Sequence, residues 1–551
     1  MFKKTKSGEG AIAEVEIHPE EAPLAAEAGS SLRRLARAVS LHMKGEREEA
    51  LKVLEGAEAD ADANDLADIT AARGHIQLEL NRHEDAAASY TRLAKIRPNS
   101  AEIRFNLGLC LQNLGRYAEA VESFRAALPL GGKQLDAQLA IGACLLHLNK
   151  QQEAREAFDA ALVQAPESES ALFGKAVALQ MGWEFDEAAL LYERILQLNP
   201  KAEDSLVNMI SLSMQRKDYK MVRSYAGRLL ALRPDAAAAL EGLASAAFAH
   251  DDFDEAAKNT QRLTELAPTV YDNWFNLGVA YQKLGRLQEA IQAYQRAREI
   301  REDAIYAHIN LGVVYQELGD LKQARGAFER AAQIAPDRDD LKFQVAWIAE
   351  RQDSTSEAET LYAKLAEKNP NLENAWFRLG YLRLRRDDAS GSVAAFEACL
   401  AKQPDWPEAE VNLSIAYSKA GQYDRAEIAL EKLLARHPQS VEALKGLAAT
   451  ALKRDDHTKA LAYHQRLIEA GQSTPEILYN SGLLAQQLNK LEDAARFYRS
   501  AIEAQPQFPE AMLNLGHALE ALGQKDEARA CWARALESKP ELARGYFHPA
   551  K

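Results

Sequence analysis

The sequence predicts an all-α solenoid of helix-turn-helix repeats, and three observations support this fold class. A period of about 34 residues runs without insertion or deletion from about residue 65 to residue 540. A small residue recurs in thirteen of the fourteen units, with Ile210 as the exception, and an alanine follows twelve places later except at Val222 and Ser392. A proline closes eleven of the units. Periods of about 20 to 50 residues are typical of solenoids, in which each unit buries its apolar face against its neighbours.

Each unit is predicted to contain two amphipathic helices, as in residues 271–284 and 287–299, because apolar residues recur three and four places apart. The turn between them carries Gly, Asn or Asp, which tolerate the left-handed backbone that ends a helix. The closing proline lacks an amide hydrogen and therefore ends the second helix. Large side chains on the second helix, such as Tyr90, Phe124 and Phe158, are expected to fill the space between helix pairs.

The chain is predicted to have four parts. Residues 1–30 are rich in Glu, Ala, Lys and Gly without a sustained period, which is typical of disorder. Residues 31–64 are expected to form a degenerate helix pair that caps the N-terminal end of the array. Residues 65–542 contain the fourteen tandem repeats, and residues 543–551 form a short tail.

The C-terminal end carries three apolar side chains, those of Leu542, Tyr546 and Phe547. Because the last unit of a solenoid must shield its apolar face, these groups are not expected to stand free in water. Two outcomes stay open. Either the tail folds back over Trp532 and its neighbours, or this end docks onto a second copy of the chain and forms a homodimer.

The pattern resembles that of the tetratricopeptide repeat (TPR). The run 274–281 reads Trp-Phe-Asn-Leu-Gly-Val-Ala-Tyr and is followed by Ala290 and Tyr294, in agreement with the signature of that family. The resemblance covers roughly 85 per cent of the chain. It implies a right-handed superhelical solenoid in which the first helices line a concave groove, and a groove that holds an extended or helical peptide.

Composition argues against several partner classes. The net charge of −14 disfavours nucleic-acid binding, which needs a basic face to neutralise phosphates. No apolar run approaches the length of a membrane span, so no membrane insertion is expected. The basic residues 1–6 are not followed by an apolar segment, which argues against a signal peptide. The expected location is cytoplasmic.

Catalytic and metal-binding motifs were not found in the sequence. Its cysteines have no metal-like spacing, its histidines are scattered, and Gly131-Gly132-Lys133 lacks the rest of a phosphate-binding loop. Only a short segment follows the last repeat, and no catalytic domain is recognisable before the first one. We therefore expect no enzymatic activity, no cofactor and no metal. The cysteines, Cys110, Cys144, Cys399 and Cys531, are expected to act as small packing residues.

A row of asparagines occupies the position before the Leu-Gly of the first helix in half of the units. An amide offers both a donor and an acceptor, so such a row can pair with the backbone of a threaded peptide. The row resembles the asparagine ladder in the repeat arm of O-linked N-acetylglucosamine transferases, although asparagine is also common at this position in the family generally. Its members are Asn106, Asn208, Asn276, Asn310, Asn412, Asn480 and Asn514.

Aromatic and basic side chains are predicted beside this row. Phe377 lies one place before the row position, and Trp347 and Tyr381 share one position in neighbouring repeats. Such rings suit a peptide with apolar anchors, with core packing as the open alternative, above all for Phe377. Basic residues recur at the end of the first helix, where they either face an anionic ligand or complement the helix dipole. They are Lys283, Arg351, Arg385, Lys419 and Lys453.

These features predict a non-catalytic scaffold or adaptor that binds peptide or protein segments in its groove. Two alternatives remain open from sequence. One is a structural protein that assembles with itself, and the other is a regulatory or substrate-recognition subunit of a separate enzyme.

Overall fold

The all-α helical solenoid predicted by the sequence is confirmed by the computed structural model, which describes residues 30–544. The described residues form two compact units, residues 30–284 and 285–544. Within each unit, every described α-helix packs against the next one along the chain. First helices of successive pairs begin one repeat length apart, as at Glu169 and Glu203. The sequence-derived boundaries of the cap and the repeats stay predictions.

The described part of the first unit contains fifteen α-helices. Their bounds are α1 (Ser30–Met43), α2 (Arg47–Ala57), α3 (Ala63–Glu79), α4 (His83–Ile96), α5 (Ala101–Asn113), α6 (Tyr117–Ala127), α7 (Gln134–His147), α8 (Gln151–Gln164), α9 (Glu169–Met181), α10 (Phe185–Leu198), α11 (Glu203–Gln215), α12 (Tyr219–Leu232), α13 (Ala237–Ala249), α14 (Phe253–Leu266) and α15 (Tyr271–Lys283). Short 3₁₀ helices cover Glu58–Asp60 and Leu128–Leu130.

The described part of the second unit also contains fifteen α-helices. Their bounds are α16 (Leu287–Ile300), α17 (Ile305–Glu317), α18 (Leu321–Ile334), α19 (Asp339–Arg351), α20 (Thr355–Lys368), α21 (Glu373–Arg385), α22 (Ala389–Lys402), α23 (Pro407–Lys419), α24 (Tyr423–Arg436), α25 (Val441–Lys453), α26 (His457–Glu469), α27 (Pro475–Gln487), α28 (Leu491–Ala504), α29 (Pro509–Ala521) and α30 (Lys525–Ser538). A 3₁₀ helix follows at Pro540–Arg544.

The turns inside the helix pairs have the left-handed backbone that the sequence predicts. Asp251 and Asn489, for example, have φ of 56°. Two turns depart from the expected residue types, because Trp183 (φ 65°) and Lys217 (φ 57°) occupy the same position. A side chain with a Cβ costs roughly 1–2 kcal/mol in this conformation, so the packing of the two helices fixes the turn even where the residue does not favour it.

Glycines of the first helix make room for the large ring of the second helix. A Cβ placed on Gly142 would lie 2.6 Å from the Phe158 ring, and one on Gly312 would lie 2.6 Å from the Phe328 ring. Both rings are almost fully buried. In these two repeats the small residue is therefore required by the close approach of an aromatic side chain.

The exceptions to the repeat pattern are accommodated locally. Ser392 replaces the recurrent alanine, and its buried hydroxyl donates a hydrogen bond to the Gly380 carbonyl at 2.9 Å. Ile210 replaces the small residue, and the following repeat offers Gly242, where a Cβ would lie only 2.7 Å from Ile210. A larger side chain in one repeat is thus balanced by a glycine in the next.

At the C-terminal end, Leu542 is half-buried against the apolar cluster that contains Trp532. Its amide donates to the Lys539 carbonyl at 3.1 Å. Leu542 therefore covers part of the last repeat, as the fold-back expectation requires. Tyr546 and Phe547 lie outside the described residues, as do residues 1–29, and docking of this end onto a second copy stays a prediction.

Candidate functional site

The asparagine row lies where one repeat packs against the preceding one. Sixteen residues before the row position stands the large residue of the previous second helix. Asn106 donates from Nδ2 to the Tyr90 hydroxyl at 3.3 Å, and Asn310 donates in the same way to Tyr294 at 3.1 Å. These amides therefore satisfy hydroxyls that the helical stack buries.

Two members of the row correct the expectation that it lines an open groove. Asn106 is 0% exposed and Asn514 is 5% exposed. Asn514 donates from Nδ2 to the Tyr479 hydroxyl at 2.9 Å. Both amides are buried and donate hydrogen bonds to tyrosine hydroxyls, so they are not available to a peptide. In this structure they provide hydrogen-bond donors for the Tyr90 and Tyr479 hydroxyls.

The other members differ in accessibility. Asn276 and Asn480 are exposed, and the residues sixteen places earlier, Thr260 and His464, are not the usual Tyr or Phe. Asn208 is half-buried, and Asn412, also half-buried, donates to the Glu408 carbonyl of its own helix at 2.9 Å. In neither unit do the described asparagines form a continuous exposed series. The residue sixteen places earlier, on the preceding second helix, differs from one asparagine to the next, and the exposure of the amide differs with it.

This difference predicts unequal effects on stability. Asn310→Ala is expected to lower the free energy of unfolding by about 0.5–1.5 kcal/mol, because the buried Tyr294 hydroxyl loses the hydrogen bond that Asn310 donates. Asn276→Ala is expected to change it by less than about 0.5 kcal/mol, because that amide is exposed. Urea unfolding followed by circular dichroism measures both. Adding Tyr294→Phe to Asn310→Ala tests the pair, because the double variant should lose less stability than the sum of the two single variants. Additive losses would contradict this role.

A cleft in the second unit brings together four residues that the sequence singled out. Trp347 and Arg351 come from α19, and Tyr381 and Arg385 come from α21. The cleft has a volume of about 490 Å³. It exists because the two first helices belong to successive repeats, which places residues one repeat length apart side by side.

The aromatic walls of the cleft are anchored in the core. Trp347 is half-buried against the apolar cluster that contains Phe328 and Leu341, and the Arg351 guanidinium lies 5.2 Å from the centre of its indole ring. Tyr381 is half-buried against clusters on both sides of α21. Each ring thus keeps an exposed part while its inner part is held in place.

Three further residues line the cleft and were not predicted, namely Glu350, Asp353 and Arg378. Glu350 accepts from Arg378 at 3.4 Å and from the Tyr362 hydroxyl at 3.1 Å. Burial, and then the charge of Glu350, raises the pKa of Tyr362, so this hydroxyl remains a donor. The spacing of Glu350, three places after Trp347 on the same helix, was the signal that could have indicated it.

The cleft also contains unneutralised positive charge. Arg351 and Arg385 are exposed, and neither has a carboxylate within ion-pair distance among residues 30–544. Lys419, predicted in the same basic series, is instead paired with Asp387. The cation–π contact of Arg351 leaves its hydrogen-bond donors available to a ligand.

Phe377 does not line the cleft. Its ring stacks on Trp406 with centroids 4.5 Å apart and meets the edge of Phe396 at 5.7 Å. It is half-buried in the cluster formed by α21, α22 and α23. Phe377 therefore packs between repeats, as the core-packing alternative expects, and its contact with a ligand stays a prediction.

A second group was missed from sequence. His42, His75 and Glu79, on α1 and α3 of the first unit, place ligand atoms within 4.8 Å of one another. The spacing of His75 and Glu79, one helical turn apart, was a usable signal. His42 precedes His75 by one position less than a repeat length, so stacking of successive units brings it alongside.

None of the helices within residues 30–544 combines the length and the apolar content that a membrane crossing requires.

Three solved structures are similar to this chain. YrrB, described as a TPR protein with an unusual peptide-binding site, is 21% identical with a TM-score of 0.30, over 34% of this chain and 97% of YrrB. A tetratricopeptide repeat protein from Parabacteroides merdae ATCC 43184 is 18% identical with a TM-score of 0.34, over 45% of this chain and 98% of that chain. A chain of the APC/C hetero-tetramer Cut9–Hcn1 is 14% identical with a TM-score of 0.30, over 88% of this chain and 96% of that chain.

A comparison with proteins of curated function gave no match. Models of the tetratricopeptide repeat match residues 71–134, 139–203, 272–337, 411–475 and 483–546, together more than half of the chain. Repeats of this kind provide scaffolds for protein–protein interaction. The chain therefore belongs to the tetratricopeptide repeat family.

Proposed function

We propose that this protein is a non-catalytic scaffold that binds a segment of a partner protein, and that the cleft between α19 and α21 holds an apolar side chain of an acidic peptide. The observation that carries the proposal is the convergence of two half-buried rings, Trp347 and Tyr381, with the guanidinium groups of Arg351 and Arg385. Neither guanidinium has a carboxylate partner within the described range 30–544.

The aromatic rings would supply the apolar part of the contact. Side chains such as Trp, Tyr and Arg dominate protein interfaces because they offer large contact areas together with hydrogen-bond donors. Trp347 and Tyr381 are held by core contacts on their inner sides. Little side-chain entropy is therefore lost when a peptide covers their outer sides, which favours binding.

The guanidinium groups would select the charge of the peptide. A guanidinium binds a carboxylate through two parallel hydrogen bonds, which fixes orientation as well as sign. Arg378 is already engaged by Glu350, so Arg351 and Arg385 are the groups available for an acidic side chain. In a chain with a net charge of −14, such a local positive site also discourages binding of basic segments.

The exposed amides would complete the contact with the peptide backbone. In the second unit, Asn480 is exposed and Asn412 is half-buried, and in the first unit Asn276 is exposed and Asn208 is half-buried. We include these four in the proposed groove of their own unit and leave out the buried Asn106 and Asn514. Asn310 keeps its carbonyl oxygen as a further acceptor, since its amide nitrogen serves Tyr294.

Fluorescence anisotropy with short labelled peptides tests the proposal. The peptides carry one apolar residue flanked by acidic, neutral or basic residues, and the acidic series is expected to bind best. Trp347→Ala and Tyr381→Ala should each cost more than about 1 kcal/mol of binding free energy. Trp183→Ala and Tyr306→Ala are matched controls, because these rings are 80% and 61% exposed and lie outside the cleft.

Two outcomes would contradict the proposal. One is equal binding of the acidic and basic peptides by the unmodified protein. The other is a loss of binding in the Trp183 and Tyr306 controls as large as the loss in the cleft variants, since non-specific adhesion to exposed rings would then explain the signal. Circular dichroism of every variant shows that the helical content is retained.

A further inference from the structure

We infer that His42, His75 and Glu79 form a binding site for a divalent transition-metal ion, with Zn²⁺ as the ion that fits best. The site joins α1 to α3 in the first unit and is independent of the cleft between α19 and α21.

The geometry of the group carries this inference. His75 and Glu79 lie one turn apart on α3, with His75 Nε2 3.5 Å from Glu79 Oε1. His42 approaches from α1, with its Nε2 2.8 Å from Glu79 Oε2. The two imidazole rings meet edge to face, with centroids 5.7 Å apart. Three ligand atoms from two helices thus point at one small volume.

The donor set indicates the class of ion. Two imidazoles and one carboxylate suit Zn²⁺, which binds three protein ligands and completes its tetrahedron with water. At bond lengths of about 2.0–2.2 Å, tetrahedral ligands stand roughly 3.3 Å apart. His42 Nε2 lies 2.8 Å from Glu79 Oε2, His75 Nε2 lies 3.5 Å from Glu79 Oε1, and all three ligand atoms lie within 4.8 Å of one another, so side-chain rotation can bring them to this spacing. The side chains are 28%, 26% and 18% exposed, which leaves a path for the ion.

Arg47 is the competing group. Its Nε donates to Glu79 Oε2 at 2.6 Å, so without an ion the cluster is an ion-pair network. An ion bound by Glu79 competes with Arg47 for the same carboxylate. The positive charge of Arg47 also opposes a cation nearby, so this residue would limit the affinity.

The position of the site gives it a consequence for the array. The helix pair α1–α2 packs on α3 within the described residues, and terminal units of a solenoid are the first to open. An ion bound by α1 and α3 stabilises the closed state by mass action, because the unfolded chain does not hold the ligands together. Metal binding would therefore stabilise the packing of α1 and α2 on α3 against local unfolding.

Isothermal titration of the full chain with Zn²⁺ tests the inference. The unmodified protein is expected to bind one ion at this site, and His42→Ala and His75→Ala should each weaken this binding at least about tenfold. His437→Ala is the matched control, because His437 is exposed and belongs to the second unit. Hydrogen exchange should show slower exchange of the α1 amides when Zn²⁺ is added, and no such change in His42→Ala.

Arg47→Gln separates a metal site from an ion-pair network. A metal site predicts that Zn²⁺ binds several-fold more tightly to this variant, because a competing cation is removed. Binding that is unchanged in both His42→Ala and His75→Ala, or that weakens in Arg47→Gln, would overturn the inference. These measurements use Zn²⁺ and the amides of α1, so a negative result here would leave the peptide-binding proposal unaffected.

Discussion

Gly142→Leu is expected to lower the stability of the first unit by about 3 kcal/mol or more, at the upper end of the cost of overpacking a core. Even a Cβ on Gly142 would lie 2.6 Å from the ring of Phe158, and the longer side chain has no space to enter. The ring cannot move away, because Gly174 of the next repeat faces the same ring and a Cβ there would also overlap it. Phe158 is therefore fixed between two glycines.

Gly227→Leu is the matched control for this prediction. Gly227 lies within α12 of the same unit, and a Cβ there would meet nothing within 4 Å. This variant should be neutral or more stable by up to about 1 kcal/mol, because leucine has a higher helix propensity than glycine. Urea unfolding followed by circular dichroism compares the two variants. Equal losses in both would show that steric contact with Phe158 is not the cause.

A double variant tests the mechanism of the same prediction. Adding Phe158→Ala to Gly142→Leu removes the ring and opens the space that the leucine needs. The double variant is expected to lose less stability than the sum of the two single variants, with a coupling of about 1–3 kcal/mol. Additive losses would contradict the packing account.

The fold could be predicted in detail because its determinants recur in the sequence. The repeat period gives the order of helices, and the pairing of Gly142 with Phe158 and of Gly312 with Phe328 follows from one rule. The turns at Trp183 and Lys217 could not be assigned from residue type, since tertiary packing fixes their left-handed backbone.

The asparagine row shows where single-position reasoning fails. Asn106 and Asn276 occupy the same register, yet one is buried and the other is exposed. The difference comes from the preceding repeat, where Tyr90 needs a partner for its hydroxyl, whereas the Thr260 hydroxyl donates to carbonyls of its own helix. The relevant signal lies sixteen residues earlier, in a residue that belongs to another helix pair.

The residues that line the cleft were partly predictable, because their positions follow from the repeat period alone. Trp347 and Tyr381 are one repeat length apart, as are Arg351 and Arg385, so the repeat itself places them side by side. What the sequence does not reveal is which charges are already neutralised. Glu350 engages Arg378 and Asp387 engages Lys419, whereas Arg351 and Arg385 are left without carboxylate partners in the described part of the chain.

Reversal of these two charges is expected to weaken binding of the acidic peptides by about two orders of magnitude. Charge-assisted hydrogen bonds contribute about 1.5–3 kcal/mol each, and reversal adds repulsion to their loss. The variant Arg351→Glu/Arg385→Glu should keep its unfolding midpoint, because both side chains are exposed. It is also expected to bind the basic peptides better than the unmodified protein does, which distinguishes a change of charge selectivity from general damage.

Lys453→Glu is the control for this reversal, since Lys453 is exposed at the equivalent end of α25 and lies outside the cleft. Its effect on peptide binding should stay within about a factor of two, because Lys453 does not line the cleft and exposed charges that make no direct contact are screened by salt. Raising the salt concentration should weaken binding of the acidic peptides to the unmodified protein and binding of the basic peptides to the reversed variant. A loss in Lys453→Glu that equals the loss in the double variant would mean that the overall charge of the chain, and not the pair Arg351 and Arg385, governs the interaction.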